Sequence, residues 1–327
     1  MRNILFVAIS LALMFMLGGE ALAVMQDKYD LPEPYLTWER AYLKEFPELQ
    51  KLMEIMISTT VDQLKNPGED ILHNRVCSAL AYEMSQNLSP QERKLAVATD
   101  LFHNIAKEEE GAVLTEPGVF QLTAGMVNML KEAGYFKGSP RFWTDEAILK
   151  NPKVGGNRAL IHHITGAFKG GQAAREAGGF SSKELNELMV ATLEHSTGYW
   201  YFRASVDNAV GKKDAWQVVF PEPETAIARI AHDADLISQF VPESVVPEGS
   251  KWRELAKKRW GARNVREEGH IVYYVFFRLY EEAKTEKGKE LAREKWEKIQ
   301  PELIKLMNLS PGQDPIKVLG VPKVFQQ

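Results

Sequence analysis

The side chains best suited to metal chemistry in this sequence are its seven histidines: His73, His103, His162, His163, His195, His232 and His270. Most of them fall on different segments that we predict to be helical, and His232 is followed by acidic residues in the sequence HDAD. A bundle that contributes one or two imidazoles from each helix can assemble a metal centre in its core. Neutral imidazole and carboxylate ligands suit Fe, Mn, Zn, Co or Ni better than Mg. The pattern therefore predicts one or two divalent transition metal ions.

The helices that would position these histidines are indicated by the spacing of apolar residues. In LKEFPELQKLMEIMISTTVDQL, apolar residues recur three and four positions apart, with one interruption at Pro47. Ser89 and Ser181 each begin a capping-box sequence that predicts a helix start, and the first helix is expected to run through LAVATDLFHNIAKEEE. QVVF and VYYVFF are locally strand-like, although the second fits an aromatic helix face equally well. The predicted fold class is all-α, a helical bundle.

The histidines stand in short motifs whose order is informative. These motifs are HNRVCSALA, ATDLFHNIAK, HHITGA, LEHSTGYW and IAHDADLI, between about residues 70 and 240. Together they resemble the HD (His-Asp) superfamily of metal-dependent phosphohydrolases, in its extra-histidine subgroup, with His-Asn in place of His-Asp. The resemblance favours His162 over His163 and Asp235 over Asp233.

The resemblance implies an HD-domain-like helical bundle with one or two metal ions held between helices. The implied metal ligands are His73, His103, Asn104, His162, His195 and Asp235, and Lys107 stands in the place of the family lysine. Members of the family hydrolyse phosphomonoesters or phosphodiesters, including nucleotides, and the extra-histidine subgroups include di-iron oxygenases that cleave C–C or C–P bonds. Gly198-Tyr199 is followed by Trp200 rather than proline, so a cyclic-di-GMP enzyme is not supported.

Asn104 stands where the family has a carboxylate, and this leaves three hypotheses open for the metal site. An amide offers one carbonyl oxygen without charge and bridges two metal ions poorly. In the first, the site is mononuclear and is held by His73, His103 and Asp235. In the second, Asp100 supplies the missing carboxylate from one helical turn earlier. In the third, the metal site has been lost, and the protein binds a ligand or partner without catalysing a reaction.

Other candidate residues surround these motifs. Lys107, one turn beyond His103, is a candidate catalytic residue that would neutralise charge on phosphoryl oxygens, and Asn104 is a second one. Arg158 and Arg203 are candidates for contacts with the phosphate of a substrate. His270 lies outside the matched region and is expected to be structural.

The first 23 residues are expected to be a cleavable secretory signal. Arg2 is followed by the uncharged segment ILFVAISLALMFML, and Ala21-Leu22-Ala23 provides a small-x-small cleavage pattern. A periplasmic or secreted protein cleaved after Ala23 is predicted, with an uncleaved N-terminal membrane anchor as the alternative. We expect no membrane span after cleavage.

The predicted organisation has four parts: a signal at 1–23, an N-terminal helical extension at 24–69, an HD-like metal-binding domain at 70–240 and a C-terminal helical extension and tail at 241–327. The net charge of −4 gives no reason to expect a nucleic acid polymer as partner. Cys77 is the only cysteine, which excludes an intrachain disulfide and any thiolate-rich metal site.

The sequence leads to an exported metal-dependent phosphohydrolase that acts on a small phosphate-containing substrate. An HD-type di-iron oxygenase is one alternative, and it would consume oxygen. A degenerate HD domain that serves as a periplasmic ligand-binding or scaffold protein is the other, and it would hold no metal.

Overall fold

The computed structural model describes residues 31–63, 67–105, 119–137, 151, 153–154, 158–196 and 200–326. Within these ranges the chain forms 15 α-helices and no β-strand, which confirms the all-α prediction. The first eight are α1 Tyr35–Glu45, α2 Leu49–Gln63, α3 Pro67–Met84, α4 Pro90–Phe102, α5 Val119–Glu132, α6 Arg158–Ala177, α7 Ser182–Glu194 and α8 Trp200–Val210. The rest are α9 Trp216–Val219, α10 Ala226–Ser238, α11 Pro242–Val245, α12 Lys251–Lys258, α13 Val265–Glu282, α14 Glu286–Leu306 and α15 Pro315–Leu319, followed by a 3-10 turn at Lys323–Phe325.

Local sequence signals account for several helix ends. Helix α1 ends at Glu45 because the residue before Pro47 is sterically biased away from helical geometry. Both predicted capping boxes form: the side chains of Ser89 and Ser181 accept hydrogen bonds from the backbone N–H groups of Glu92 and Glu184, and these glutamates return the interaction. VYYVFF lies within the long helix α13, so its aromatic residues form a helix face.

The C-terminal end of α4 differs from the prediction. The helix ends at Phe102 and residues 103–105 form a turn, earlier than the predicted end, while the EEE run at 108–110 lies outside the described residues. The His103 side chain contributes to this ending, since its Nδ1 lies 2.9 Å from the carbonyl oxygen of Asp100, the group that a continuing helix would pair with the next turn. The imidazole is therefore held at a helix end rather than on a helix side.

Helices α3, α4, α7 and α10 pack against one another and surround the histidine cluster. The main hydrophobic core includes residues from α1 through α14, so the helices before residue 70 and after residue 240 share one core with the central segment. A smaller core lies where α5 and α9 pack on α6 and α7. The 69/70 boundary expected from the sequence falls inside α3. None of the described helices is long and apolar enough to cross a membrane.

Candidate metal centre

Three metal-ligating atoms, contributed by three different helices, converge at the centre of the histidine cluster. His73 lies on α3, His103 at the end of α4 and Asp235 on α10. The Nε2 atoms of His73 and His103 are 3.2 Å apart, and Asp235 Oδ1 lies 3.2 Å from the first and 3.9 Å from the second. With Cys77 they form a group that can hold a metal ion, with ligand atoms all within 4.8 Å of one another.

These separations fit a shared cation. Nitrogen and oxygen ligands of zinc stand about 2.0–2.2 Å from the metal, which places two ligand atoms of one ion about 3–4 Å apart. All three separations in the cluster lie in this interval. The residues present therefore match the donor set of a mononuclear site with remaining coordination positions for water or substrate.

Hydrogen bonds at the Nδ1 atoms orient three of the imidazoles. Nδ1 of His103 donates to the carbonyl oxygen of Asp100 at 2.9 Å, and Nδ1 of His195 donates to that of Thr192 at 2.6 Å. Nδ1 of His73 lies 3.3 Å from Ser238 Oγ, whose own proton goes to the carbonyl oxygen of Asp235. In His103 and His195 the proton is therefore on Nδ1 and Nε2 presents a lone pair, whereas Nε2 of His73 lies within hydrogen-bond distance of Asp235 Oδ1 at 3.2 Å.

Nε2 of His73 faces two acceptors at once. It lies 3.2 Å from the Nε2 lone pair of His103 and 3.2 Å from Asp235 Oδ1. A cation bound at this point would satisfy the His103 lone pair and the Asp235 carboxylate together.

A second pair of histidines adjoins the first. The Nε2 atoms of His162 on α6 and His195 at the end of α7 are 3.2 Å apart, and the rings of His195 and His103 are 5.0 Å apart. His103 and His195 occupy equivalent places, each at the C-cap of a 13-residue helix that begins with a capping box. The structure therefore brings together all the histidines that the resemblance selected.

Gly166 allows α6 to approach this cluster. A Cβ atom built at Gly166 would overlap the carbonyl oxygen of His103. The glycine that follows His162 by four residues in HHITGA thus lets the helix backbone pass directly against the end of α4. That close approach places His162 beside His195.

Burial and neighbouring charges set the ionisation of the cluster. Burial, then the charges of His195 and His73, holds the pKa of His103 well below its usual value, and burial also lowers the pKa of His195. Burial alone would raise the pKa of Asp235, but its hydrogen bond with His73 and the charges of the three imidazoles hold it well below its usual value. Neutral imidazoles and an ionised carboxylate are the forms that bind metals.

Asn104 lies in the cluster and is not fully satisfied there. Its Nδ2 atom is 2.8 Å from His103 Nε2, while its buried Oδ1 has no hydrogen-bond partner among the described residues. A half-turn of the side-chain amide would direct Oδ1 to the point that His103 Nε2 faces. An unpaired carbonyl oxygen beside the His103 lone pair also fits a cation.

Asp100 is fully buried, but it lies on the other side of His103. Its Oδ1 is 3.7 Å from His103 Nδ1, the nitrogen that points away from the cluster. Neither carboxyl oxygen has a hydrogen-bond partner in the described part of the chain. Burial and then the charge of Asp235 raise its pKa well above its usual value. In this position the Asp100 carboxyl group does not face the metal-binding atoms.

Cys77 is a member of the cluster that sequence reasoning missed. Its Sγ lies 3.8 Å from Nδ1 and 3.7 Å from Nε2 of His73. Nearly equal distances place the sulfur over the imidazole face, away from the Nε2 lone pair, so Cys77 would ligate a metal only after a side-chain rotation. The signal that could have found it is the spacing of four residues after His73, which puts both side chains on one face of α3.

The other candidate residues that the structure describes do not join the cluster. His163 points away from the cluster, with Nε2 at 2.5 Å from the carbonyl oxygen of Val219, and His270 contacts the carbonyl oxygen of Gly320. Arg203 pairs with Glu282 at 3.5 Å and lies over the ring of Trp216. Lys107 and the side chain of Arg158 lie outside the described residues.

The cluster opens into a large cavity. A volume of about 810 Å³ is lined in part by His73, Asn104, His162 and Asp235. Small-molecule sites typically have volumes of about 300–1,000 Å³. A ligand in this cavity would have direct access to the metal-binding atoms.

Comparisons with known proteins identified no relative: no family model matches the chain, and neither a curated protein nor a solved structure does. The relation to HD phosphohydrolases therefore stays a prediction from the motifs.

Proposed function

We propose that this chain is an exported metal-dependent phosphohydrolase whose metal site is formed by His73, His103 and Asp235. The observation that carries the proposal is the convergence of their ligand atoms, within 3.9 Å of one another, at the wall of a cavity of about 810 Å³. The order of the histidine motifs, which resembles that of HD phosphohydrolases, gives the reaction class.

A divalent cation bound there would polarise phosphoryl oxygens and lower the pKa of water enough for attack on phosphorus near neutral pH. The protein contributes a fixed donor set, because the Nδ1 hydrogen bonds prevent the imidazoles from turning. Two neutral imidazoles and one carboxylate would not fully neutralise a divalent cation, so the occupied site would keep a net positive charge that attracts the phosphate.

His162 is the residue placed to move a proton. Since Nδ1 of His195 is held as a donor to Thr192, its Nε2 is an acceptor, and His162 Nε2 is then the donor across the 3.2 Å between them. His162 also lines the cavity, and in this proposal it would pass the proton from its hydrogen bond with His195 to the leaving-group oxygen of a bound ester. The neighbouring Glu194 carboxylate is engaged elsewhere, since it accepts a hydrogen bond from the backbone N–H of Glu224 at 2.9 Å.

The test is release of p-nitrophenolate from two chromogenic esters by metal-free protein to which Mn, Fe, Co, Ni or Zn is added singly. The probes are p-nitrophenyl phosphate for monoesters and bis(p-nitrophenyl) phosphate for diesters. We expect release with at least one metal, and we expect His103→Ala to abolish it, whereas His270→Ala, a histidine outside the cluster, retains it. Undiminished release by His103→Ala, or no release with any of these metals, would contradict the proposal.

Export rests on residues 1–23, which lie outside the described residues. The proposed cleavage after Ala23 predicts a mature chain that begins at Val24. N-terminal sequencing of the protein from a periplasmic or culture fraction measures this directly. Recovery of the uncleaved chain in the membrane fraction would favour the anchor instead.

A further inference from the structure

The cavity beside the cluster is much larger than a phosphate group needs. Its volume is about 810 Å³ and most of its lining residues lie outside the metal-binding group, so its walls would contact the rest of a ligand. The chemistry of those walls therefore indicates what that part of the ligand is.

Carbon-rich side chains from two helices and the segment after α10 form these walls. Leu72 and Val76 lie one turn apart on α3, Trp252 and Leu255 one turn apart on α12, and Phe240 follows α10. Phe276 fixes the aromatic part, since its ring is 5.0 Å from those of Phe240 and Trp252. The apolar surface is thus held in place before a ligand binds.

Two serine hydroxyl groups at this wall already donate to the protein backbone. Ser238 donates to the carbonyl oxygen of Asp235 at 2.6 Å, and Ser244 donates to that of Val241 at 2.9 Å. A sugar or polyol has several hydroxyl groups that need partners when water is removed from them. This part of the wall therefore favours an apolar body over a nucleoside or a sugar.

Lys295 on α14 gives the cavity a positive charge that the protein does not neutralise by direct pairing. Its Nζ donates to the hydroxyl of Tyr35 at 2.5 Å, and no described carboxylate lies within ion-pair distance of it. Lys251, also at the cavity, is by contrast paired with Glu69 at 3.2 Å. Burial, then the charge of Lys298, lowers the pKa of Lys295 to about 8. Glu243 and Glu294 offset this effect only in part and from beyond ion-pair distance, and a partly buried ammonium group gains from a ligand that brings an anion into direct contact.

We propose that this cavity binds an organic phosphate with an apolar aryl or alkyl body, and that Lys295 with the Tyr35 hydroxyl binds its phosphoryl oxygens. The inference rests on the proposed function for the identity of the anion. Lys295 then determines specificity for the anionic group, and the wall formed by Leu72, Val76, Phe240, Trp252 and Leu255 determines specificity for the body.

The test is calorimetric titration of the metal-free protein, in which no turnover takes place. The ligands are 2-naphthyl phosphate, 2-naphthol and glycerol 2-phosphate, which separate the apolar body from the anion. We expect 2-naphthyl phosphate to bind at least about 10-fold more tightly than glycerol 2-phosphate, because its rings are buried against the wall.

Variants assign the two parts of the cavity. Lys295→Met should weaken binding of 2-naphthyl phosphate about 10- to 100-fold, as expected for loss of a hydrogen bond to a charged group, and leave 2-naphthol within about 2-fold. Tyr35→Phe, which removes only the hydroxyl, should act in the same direction with a smaller effect. Leu255→Ala should weaken both naphthyl ligands equally, by about 5-fold. Lys305→Met, an exposed lysine on the same helix, is the matched control and should change nothing.

Equal binding of glycerol 2-phosphate and 2-naphthyl phosphate would overturn the inference, and so would an equal effect of Lys295→Met on 2-naphthyl phosphate and 2-naphthol. These outcomes are separate from the fate of the proposed function. Tight binding of 2-naphthyl phosphate without hydrolysis by the metal-loaded protein would refute the phosphohydrolase alone. Hydrolysis of phosphate esters by a cavity that shows no preference for apolar bodies would refute the inference alone.

Discussion

Replacement of Gly166 by alanine tests whether α6 must contact the end of α4 to build the site. The added methyl group would overlap the carbonyl oxygen of His103 and lie 3.5 Å from a methyl group of Thr192. Relief of the overlap requires the helices to separate, and forced overpacking of this kind typically costs about 1–3 kcal/mol. Because His162 lies one turn before Gly166, the same movement takes its imidazole away from His195.

Gly125 provides the matched control, since it also lies inside a helix, but a methyl group there would meet nothing within 4 Å. An exposed glycine in a helix costs about 0.8–1.0 kcal/mol relative to alanine, so Gly125→Ala should raise the free energy of unfolding by nearly that amount. The same substitution should therefore have opposite signs at the two positions.

Urea denaturation of both variants measures the free energies of unfolding, and a metal titration follows the site. We expect Gly166→Ala to lose about 1–3 kcal/mol and to bind metal at least about 10-fold more weakly, since a site tolerates displacements of only about 0.5 Å. Wild-type stability together with wild-type metal affinity in Gly166→Ala would refute the close packing of α6 on His103.

Three further substitutions test the cluster and the cavity. Asn104→Asp restores an anion beside His103 and should raise the bound metal from about one to about two equivalents in elemental analysis; an unchanged content would show that the charge at this position does not limit occupancy. Asp100→Asn should leave the metal content unchanged, since this carboxyl group lies on the Nδ1 side of His103, and loss of the metal would instead identify Asp100 as a ligand. Lys295→Met should be more stable than wild type at pH 7. The pKa of Lys295 is lowered to about 8 in the folded protein, so the unfolded chain binds this proton more tightly. The free energy of unfolding of the wild type therefore rises by up to about 3 kcal/mol between pH 8 and pH 10.5. The stability advantage of Lys295→Met shrinks over the same interval. Equal pH profiles in chemical denaturation would count against a desolvated Lys295.

Local signals predicted much of the framework. The capping boxes at Ser89 and Ser181 and the proline at position 47 act over a few residues, and the helices begin or end there as expected. The histidine motifs identified side chains that the structure brings together. Each motif lies on a helix, or at a helix end, that borders the common core.

Features that depend on packing between distant segments could not be predicted from the sequence. The C-terminal end of α4 depends on how the His103 side chain is oriented, which the periodicity of the helix does not encode. Lys295 and Tyr35 are 260 positions apart in the chain, so nothing local indicates that they meet in a cavity. Cys77 is the only cysteine, and a lone cysteine indicates neither a disulfide nor a thiolate-rich site, so its place beside His73 becomes apparent only in the structure.

The metal content of the mature protein, purified without chelators or immobilised nickel, tests the central claim most directly. Elemental analysis should find about one equivalent of a divalent transition metal, either as purified or after incubation with Mn, Fe, Co, Ni or Zn. His103→Ala should lose it, and His270→Ala should keep it. A wild-type protein that binds none of these metals would contradict the account, since the facing Nε2 atoms of His73 and His103 would then have another purpose.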